Sequence, residues 1–281
     1  MSLTLTTLIE NAPSPNPALA YEHGLSLYID HPDCKILFDT GQSGDFIKNA
    51  ELLQKDLTAL DYVLISHGHL DHSGGVPKLL ESRQLSTSTR FLVGSEFFTP
   101  KFYTLEDGTH QFIGNSFNEQ DVVNAGVSLT KLEDDTTYLT DNIVVFHHFK
   151  QSNDFEPLAE KFLIQEGNQY VVDSFRDEIA LGIITEKGLV VIVGCSHIGI
   201  SNILTDIQAR MNMPIYEVVG GTHLVAADEE RIALTIESFK KLGVQKIAVS
   251  HCTGDKAIGA LKEYFGSGFI RNNTGDVITF P

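Results

Sequence analysis

Short apolar runs alternate with helical patterns over about the first ninety residues of the chain. Continuous apolar stretches predict strands, and apolar positions spaced three and four residues apart predict helices. The predicted elements are strands over 25–30, 35–39 and 61–66, and helices over 45–54 and 75–83. Strands that alternate with helices in this way are typical of an α/β domain.

The regular alternation loosens between about residues 95 and 175 and then returns. The middle stretch is rich in turn residues and aromatics, and residues 138–149 predict an edge strand there. We therefore interpret 95–175 as an inserted lid or substrate lobe of one domain that spans 1–281. Beyond it the pattern predicts strands over 179–185, 189–193, 215–221 and 246–250, and helices over 200–211, 228–243 and 256–265.

The chain is strongly acidic, with 20 Lys and Arg residues against 37 Asp and Glu residues and a formal net charge of -17. Such a charge repels phosphate backbones and anionic lipids, so we expect a small-molecule substrate and neither a nucleic-acid nor a membrane partner. The N-terminal segment lacks the features of a secretory signal, and no apolar stretch approaches the length of a membrane span. Three scattered cysteines predict a reducing cytoplasm, and no apolar stripe defines an oligomeric interface.

Four potential metal ligands stand within six positions at the end of the strand predicted over 61–66. They are His67, His69, Asp71 and His72. A loop at this place can direct the first two at one ion and the last two at a second ion. Neutral imidazole and carboxylate suit zinc, and also iron or manganese. Glycines at 68, 74 and 75 should allow tight backbone bends beside this site.

The segment HGHLDH resembles the HxHxDH signature of the metallo-β-lactamase superfamily. The segment LFDTG resembles another motif of that family, and the likeness implies that Asp39 supports the metal ligands without binding the ions. It also implies the α/β fold of that family, a four-layered αβ/βα sandwich that binds two divalent metal ions.

Five segments together resemble one branch of the family: EHGLSLYI, SHGHLDHSGG, GCSHIGISNIL, GGTHL and SHCTG. Members of this branch are described as metal-dependent hydrolases, and the branch includes a dihydropterin–ribofuranosylaminobenzene phosphate synthase. A shared fold does not by itself fix the substrate.

Two later histidines are further candidate ligands because each follows a predicted strand: His197 and His251. Most family members carry Gly-Asp after the hairpin, with the aspartate between the two metals, whereas this chain has Gly194-Cys195. His197 is then the candidate to replace a histidine that the usual pattern places before the hairpin. Cys195 is either a ligand or a buried thiol, and the bridge between the metals is either Cys195 or solvent.

The roles of several other polar residues stay open at this point. His223 is a candidate for substrate contact, for protonation of the leaving group or for metal binding. Glu22 and His23 could reach the site from an N-terminal loop, whereas His147 and His148 are expected to be exposed or packed. The sequence does not decide whether Asp177 or Glu178 orients a ligand histidine. These two carboxylates are therefore left as alternatives.

The function expected from this set of residues is hydrolysis of a small ester, phosphoester or related metabolite by a metal-bound hydroxide. Asp71 would hold the second metal and orient the nucleophile. The alternatives are condensation of a pterin diphosphate with an aromatic amine, and a non-catalytic metal-binding sensor. A pterin requires stacking partners, for which the candidates are Phe97, Phe98, Phe102, Tyr103 and Phe112.

Overall fold

The computed structural model of the protein describes residues 3–82 and 84–281. The chain folds as two units. The first comprises the chain up to Glu133 together with 159–177 and 273–280, and the second comprises 134–158, 178–272 and Pro281.

The described residues form eighteen strands and seven α-helices. The strands are β1 (Thr4–Ile9), β2 (Ser26–Asp30), β3 (Lys35–Phe38), β4 (Tyr62–Leu64), β5 (Arg90–Gly94), β6 (Lys101–Thr104), β7 (His110–Phe112), β8 (Ser128–Leu132), β9 (Thr136–Thr140), β10 (Ile143–Phe146), β11 (Phe162–Glu166), β12 (Gln169–Val172), β13 (Ala180–Thr185), β14 (Gly188–Val193), β15 (Ile215–Gly220), β16 (Lys246–Val249), β17 (Phe269–Arg271) and β18 (Val277–Thr279). The helices are α1 (Asp45–Leu52), α2 (Leu70–Ser73), α3 (Val76–Glu81), α4 (Glu119–Asn124), α5 (Ile200–Met211), α6 (Glu229–Leu242) and α7 (Asp255–Phe265).

The first unit contains a seven-stranded sheet in the order β18-β1-β2-β3-β4-β5-β8. The pairs from β3 to β8 are parallel, so the carboxyl ends of β3, β4 and β5 lie at one edge. Helices α1, α3 and α4 bury apolar side chains in the core of this sheet, among them Phe46, Leu79 and Val122. The sheet thus brings the residues that follow β3 and β4 close together.

A smaller antiparallel sheet of the first unit has the order β12-β11-β6-β7. All four of its strands come from the predicted insertion 95–175. The other strands of that segment belong elsewhere, because β8 pairs with β5 and β10 pairs with β13. A lid or substrate role for the segment stays a prediction.

The second unit contains a seven-stranded sheet in the order β17-β16-β15-β14-β13-β10-β9. Strands β14 to β17 are parallel neighbours, and every residue of β14 and β15 is buried. Near-continuous apolar runs such as GLVVIV are typical of strands covered on both faces. Helix α6 is capped at its N-terminus by the Asp228 side chain, which accepts from the Arg231 N–H, and ends at the left-handed Gly243.

The α/β class and most element positions agree with the sequence prediction. The helix predicted over 75–83 forms as α3, and its predicted last residue, Arg83, lies outside the described residues. The edge strand predicted over 138–149 is partly confirmed: residues 138–140 belong to β9, at the edge of the sheet, whereas β10 lies between β9 and β13 and its four residues are buried. The turn Asp141-Asn142 separates β9 from β10.

Among the described residues, no helix has the length and apolar character needed to cross a membrane.

Candidate metal centre

Two neighbouring parallel strands of the first unit end in polar residues that hydrogen-bond to each other. Strand β3 leads to Asp39 and β4 leads to Ser66, with Phe38 and Leu64 in register. The Asp39 carboxylate accepts from the Ser66 N–H at 2.6 Å and from the Ser66 hydroxyl at 2.8 Å. Asp39 is fully buried and has a left-handed backbone with φ of 61°. Such a conformation is uncommon outside glycine and is concentrated at functional sites.

The Asp39 carboxylate also fixes the imidazole of His72. His72 Nδ1 lies 2.6 Å from Asp39 Oδ2, and neither side chain is exposed. Because a carboxylate accepts hydrogen bonds, the neutral ring carries its proton on Nδ1, which leaves the Nε2 lone pair for a metal ion. Metal-binding histidines are usually held in this way by a carboxylate on the second nitrogen. This geometry is compatible with the supporting role expected for Asp39, which stays a prediction.

His67 and His69 direct ring nitrogens at each other. His67 Nδ1 lies 3.0 Å from the Ser66 hydroxyl, and its Nε2 lies 3.0 Å from His69 Nδ1. A tetrahedral zinc ion with bonds of about 2.05 Å places its ligand atoms about 3.3 Å apart. Burial, reinforced by the neighbouring imidazoles of His72 and His69, lowers the pKa of His67 well below 6.5. His67 is therefore neutral at physiological pH, which is the form that binds metal.

Asp71 is the partly exposed member of this group. Its Oδ2 lies 3.7 Å from His72 Nε2 and 3.3 Å from His23 Nε2. The side chain of Asp71 is 19% exposed, and that of His23 is 65% exposed. The hydrogen bond to Asp71 raises the pKa of His23. Glu22 has a different place: its Oε1 accepts from the N–H groups of Gln42 and Ser43.

Three adjacent parallel strands of the second unit are each followed by a histidine within a few residues. His197 follows β14, His223 follows β15 and His251 follows β16. The rings of His197 and His223 lie 4.3 Å apart between centroids. His223 and His251 have left-handed backbones, with φ of 49° and 54°. The carboxyl edge of a parallel sheet is where α/β proteins usually assemble their sites.

Hydrogen bonds tie these three strand ends together. The Gly221 N–H donates to the Gly194 carbonyl at 2.9 Å, and the Ser196 hydroxyl donates to the Gly221 carbonyl at 2.8 Å. The Cys252 thiol donates to the Cys195 carbonyl at 3.3 Å. The three loops therefore hold one another in place within the second unit.

Cys195 is buried and lies close enough to a histidine for both side chains to bind one metal ion. Its Sγ and a ring nitrogen of His251 are within 4.8 Å of each other. This distance is compatible with a thiolate ligand and with a thiol that only contacts the ligand. Both interpretations of Cys195 from the sequence thus stay open.

The donor residues of the chain are of the types that bind divalent metal ions. The first unit supplies three buried imidazoles and the Asp71 carboxylate, and the second supplies buried imidazoles and a thiol. Neutral imidazoles with one nitrogen fixed, next to a carboxylate, are a typical donor set for zinc and for iron or manganese. Both units therefore carry His, Asp or Cys groups that could bind metal ions.

Asp177 and Glu178 both support a histidine loop, although the sequence offered them as alternatives. Asp177 Oδ2 accepts from the Gly68 N–H at 2.7 Å in the first unit. Glu178 accepts from the N–H of His197 at 2.7 Å and from that of Ile198 at 3.0 Å in the second unit. Each carboxylate acts on the backbone of its loop, which sequence spacing does not show.

Some candidates from the sequence lie in other surroundings. Phe97 and Phe98 pack with Phe117 in the core of the first unit. His147 is buried and stacks on the partly exposed His148, at 3.7 Å between centroids, within the second unit. These residues contribute to packing.

Phe162 was missed in the sequence and lies beside a candidate ligand. Its ring stacks on His69 at 5.4 Å and meets the Tyr103 ring edge-on at 5.2 Å. Phe102 and Phe112 occupy the other face of the small sheet, since neighbouring strand residues alternate between faces. Of the aromatic candidates from the sequence, Tyr103 is the one connected to the histidine loop through Phe162.

The chain is similar to known proteins over most of its length. The family model described as Metallo-beta-lactamase superfamily matches residues 21–134. A 7,8-dihydropterin-6-methyl-4-(beta-D-ribofuranosyl)-aminobenzene-5'-phosphate synthase of Methanocaldococcus jannaschii is 32% identical, with 99% of this chain and 97% of that protein covered.

Solved structures show the same fold. The crystal structure of a metal-dependent hydrolase of the β-lactamase superfamily matches with a TM-score of 0.84 and 30% identity, covering 98% of each chain. The metallo-β-lactamase fold protein YhfI from Bacillus subtilis matches with a TM-score of 0.60 and 12% identity over the whole of both chains. The α/β fold predicted from the HGHLDH motif is confirmed, and the chain belongs to the metallo-β-lactamase superfamily.

Proposed function

We propose that the protein is a metal-dependent hydrolase that acts on a small ester, phosphoester or related metabolite. The observation that carries this proposal is the buried His67–His69 pair, with ring nitrogens 3.0 Å apart, next to a His72 ring fixed by Asp39. A protein that buries several imidazoles needs a reason for their desolvation, and metal binding supplies one.

Six residues are the proposed ligands of two divalent ions. We assign His67, His69, Asp71, His72, His197 and His251 to this role. Zinc fits these donors best, with iron or manganese as alternatives. Asp39 and Cys195 would support the ligands. The likeness to a metal-dependent hydrolase over 98% of both chains supports a metal-binding role for these residues.

Divalent ions held there supply Lewis acidity and lower the pKa of a coordinated water. The residues of the chain would then orient the reactants. Asp71 is the ligand-type side chain of its loop that is open to solvent, so it is placed to orient the attacking water. His223 is half-buried beside His197, where it would protonate the leaving group.

A synthase that condenses a pterin diphosphate with an aromatic amine is the second candidate. The relative from Methanocaldococcus jannaschii carries the name of a dihydropterin synthase and is similar over nearly the whole chain. The partly exposed rings of Tyr103 and Phe162, next to His69, favour a planar substrate. This reaction would use an amine in place of water and release diphosphate.

The substrate is proposed to be a small molecule in either case, because the net charge of -17 disfavours nucleic acid and anionic membranes. The three buried cysteines, Cys34, Cys195 and Cys252, carry no disulfide, which supports the proposed cytoplasmic location.

Metal analysis paired with activity assays tests the proposal. Protein purified without chelator is analysed for metal and then assayed with esters, phosphodiesters and a pterin diphosphate plus an aromatic amine. About two metals per chain, with hydrolysis lost on chelation and restored by metal, would support the hydrolase. Two metals with amine condensation and no hydrolysis would favour the synthase. Two metals without turnover would favour the sensor, and fewer than two would contradict the dinuclear centre.

A further inference from the structure

A buried group of three charges lies beside the histidine loop of the first unit. Lys101, on β6, is 2% exposed, and its ammonium lies 2.6 Å from Asp173 Oδ2 and 2.9 Å from Asp177 Oδ1. Both carboxylates are buried as well. Desolvating three charges is unfavourable unless they are well paired, so such a group is retained for a reason other than simple stability in many proteins.

The two carboxylates differ in what else they hold. The second oxygen of Asp177 accepts from the Gly68 N–H, between His67 and His69, at 2.7 Å. The second oxygen of Asp173 accepts from the Phe175 N–H instead, also at 2.7 Å. Only the first of these hydrogen bonds reaches the backbone of the histidine loop.

Lys101 also supports this loop through its main chain and its aliphatic stem. Its carbonyl accepts from the Ile113 N–H at 3.0 Å, and the Ile113 carbonyl accepts from the Leu70 N–H at 2.8 Å. A Cβ on Gly68 would lie 3.2 Å from Lys101 Cε and 2.5 Å from the Phe97 carbonyl oxygen. The loop is thus held at Gly68 and at Leu70 by groups that converge on Lys101.

We propose that Lys101 is a positioning residue for the metal centre, acting through Asp177 on the Gly68 backbone. The ammonium keeps one Asp177 oxygen in place, so that the other oxygen holds the Gly68 N–H. This fixes the backbone between His67 and His69, and with it the approach of their ring nitrogens. The inference rests on the proposed metal centre and adds a determinant of its affinity and geometry.

A pair of variants with equal charge tests this role. Asp177→Asn and Asp173→Asn each remove one buried carboxylate and leave Lys101 paired with the other. In Asp177→Asn the single amide oxygen can serve either Lys101 or Gly68, whereas Asp173→Asn leaves the Gly68 hydrogen bond intact. Lys101→Met is the third variant, and Lys78→Met, which removes an exposed lysine paired with Glu81, is the surface control.

Zinc and cobalt affinities are measured by competition with a chromophoric chelator, together with the visible spectrum of the cobalt form and thermal unfolding of the metal-free protein. We expect affinity to fall about 10- to 100-fold in Lys101→Met and Asp177→Asn, with an altered cobalt spectrum. Asp173→Asn and Lys78→Met should stay within about threefold of the wild type. If Lys101→Met does not fold, the two Asn variants decide the question.

Equal affinities and unchanged cobalt spectra in Asp177→Asn and Asp173→Asn would overturn the inference, whatever their thermal stability. That result would mean that the three buried charges only stabilise the small sheet. A wild-type chain that binds no metal would instead refute the metal centre, and this inference with it. The wild-type measurement thus separates failure of the proposed function from failure of the positioning role.

Discussion

Asp39 Oδ2 and His72 Nδ1 lie 2.6 Å apart in an interior that exposes neither side chain. The same carboxylate holds the N–H and the hydroxyl of Ser66, and that hydroxyl lies 3.0 Å from His67 Nδ1. One buried carboxylate therefore orients two imidazoles, one directly and one through a serine. Its influence on metal binding should exceed that of an ordinary hydrogen bond, because two candidate ligands depend on it.

Asp39→Asn should weaken zinc binding about 10- to 100-fold, because the amide no longer fixes His72 and Ser66 as a carboxylate does. Competition with a chromophoric chelator measures the affinity, and circular dichroism checks that the fold is kept. Asp45→Asn, at the exposed first turn of α1, is the control and should leave the affinity unchanged. Wild-type affinity in a folded Asp39→Asn protein would remove Asp39 from the metal centre.

His69→Ala should abolish turnover and reduce the metal content while the fold is retained. Its nitrogen faces His67 Nε2 at 3.0 Å, so its loss removes one of two converging donors. His110→Ala, which alters an exposed histidine on β7, is the matched control. Turnover and metal content are measured on both proteins. Full activity in His69→Ala would contradict the assignment of the site.

The sequence locates the candidate ligands because they follow strands. An apolar strand ends directly before, or within a few residues of, Asp39 and the candidate ligands His67, His197 and His251. Parallel neighbours place such ends at one edge of their sheet, so the apolar pattern and the polar residue after it locate both histidine sets. The spacing of the HGHLDH motif then identifies the family.

The contacts of Asp177 could not be predicted because its partners are far away in the sequence. Asp177 lies 109 residues from its partner Gly68, and Lys101 lies 76 residues from Asp177. No local periodicity connects such positions. Gly74 lies in the turn between α2 and α3, as the sequence predicted. The distant contact there was not predicted: a Cβ on Gly74 would lie 2.3 Å from the Gln42 carbonyl oxygen.

The stability of the metal-free protein should fall as the pH decreases below about 6.5. Burial lowers the pKa of His67 well below 6.5, so the unfolded chain binds more protons than the folded chain below that pH. One such group changes the free energy of unfolding by at most about 1.4 kcal/mol per pH unit. Urea unfolding in chelator at several pH values measures this slope.

His67→Gln is the control for that slope, because it removes the titrating group. Two other histidines also affect the slope of the free energy of unfolding against pH: the raised pKa of His23 opposes the effect of His67, and the lowered pKa of His31 adds to it. Both are present in the wild type and in His67→Gln. The difference between wild type and His67→Gln therefore isolates His67. Identical slopes in the two proteins would contradict a depressed His67 pKa.

Gly68→Ala should destabilise the fold by about 1–3 kcal/mol, because its Cβ would lie 2.5 Å from the Phe97 carbonyl oxygen. Gly259→Ala is the matched control, since a Cβ in that position of α7 meets nothing within 4 Å. It should stabilise the protein by about 0.5–1 kcal/mol through helix propensity. Chemical denaturation of the two variants measures both effects. If Gly68→Ala leaves the free energy of unfolding unchanged, the Phe97 backbone must move to make room for the added Cβ.

Tyr103→Leu should distinguish a planar aromatic substrate from a small aliphatic ester. Tyr103 meets Phe162, which stacks on His69, so its ring extends an aromatic surface from the histidine loop without contacting a ligand itself. An aromatic contact contributes about 0.5–1.5 kcal/mol, which corresponds to roughly 2- to 10-fold in KM. We expect that rise for a pterin substrate, with kcat and metal content unchanged, and no rise for an aliphatic ester. Phe112→Leu, on the opposite face of the same sheet and 50% exposed, should change neither KM. An equal KM for the pterin in Tyr103→Leu and wild type would remove this surface from substrate binding and weaken the case for the condensing reaction.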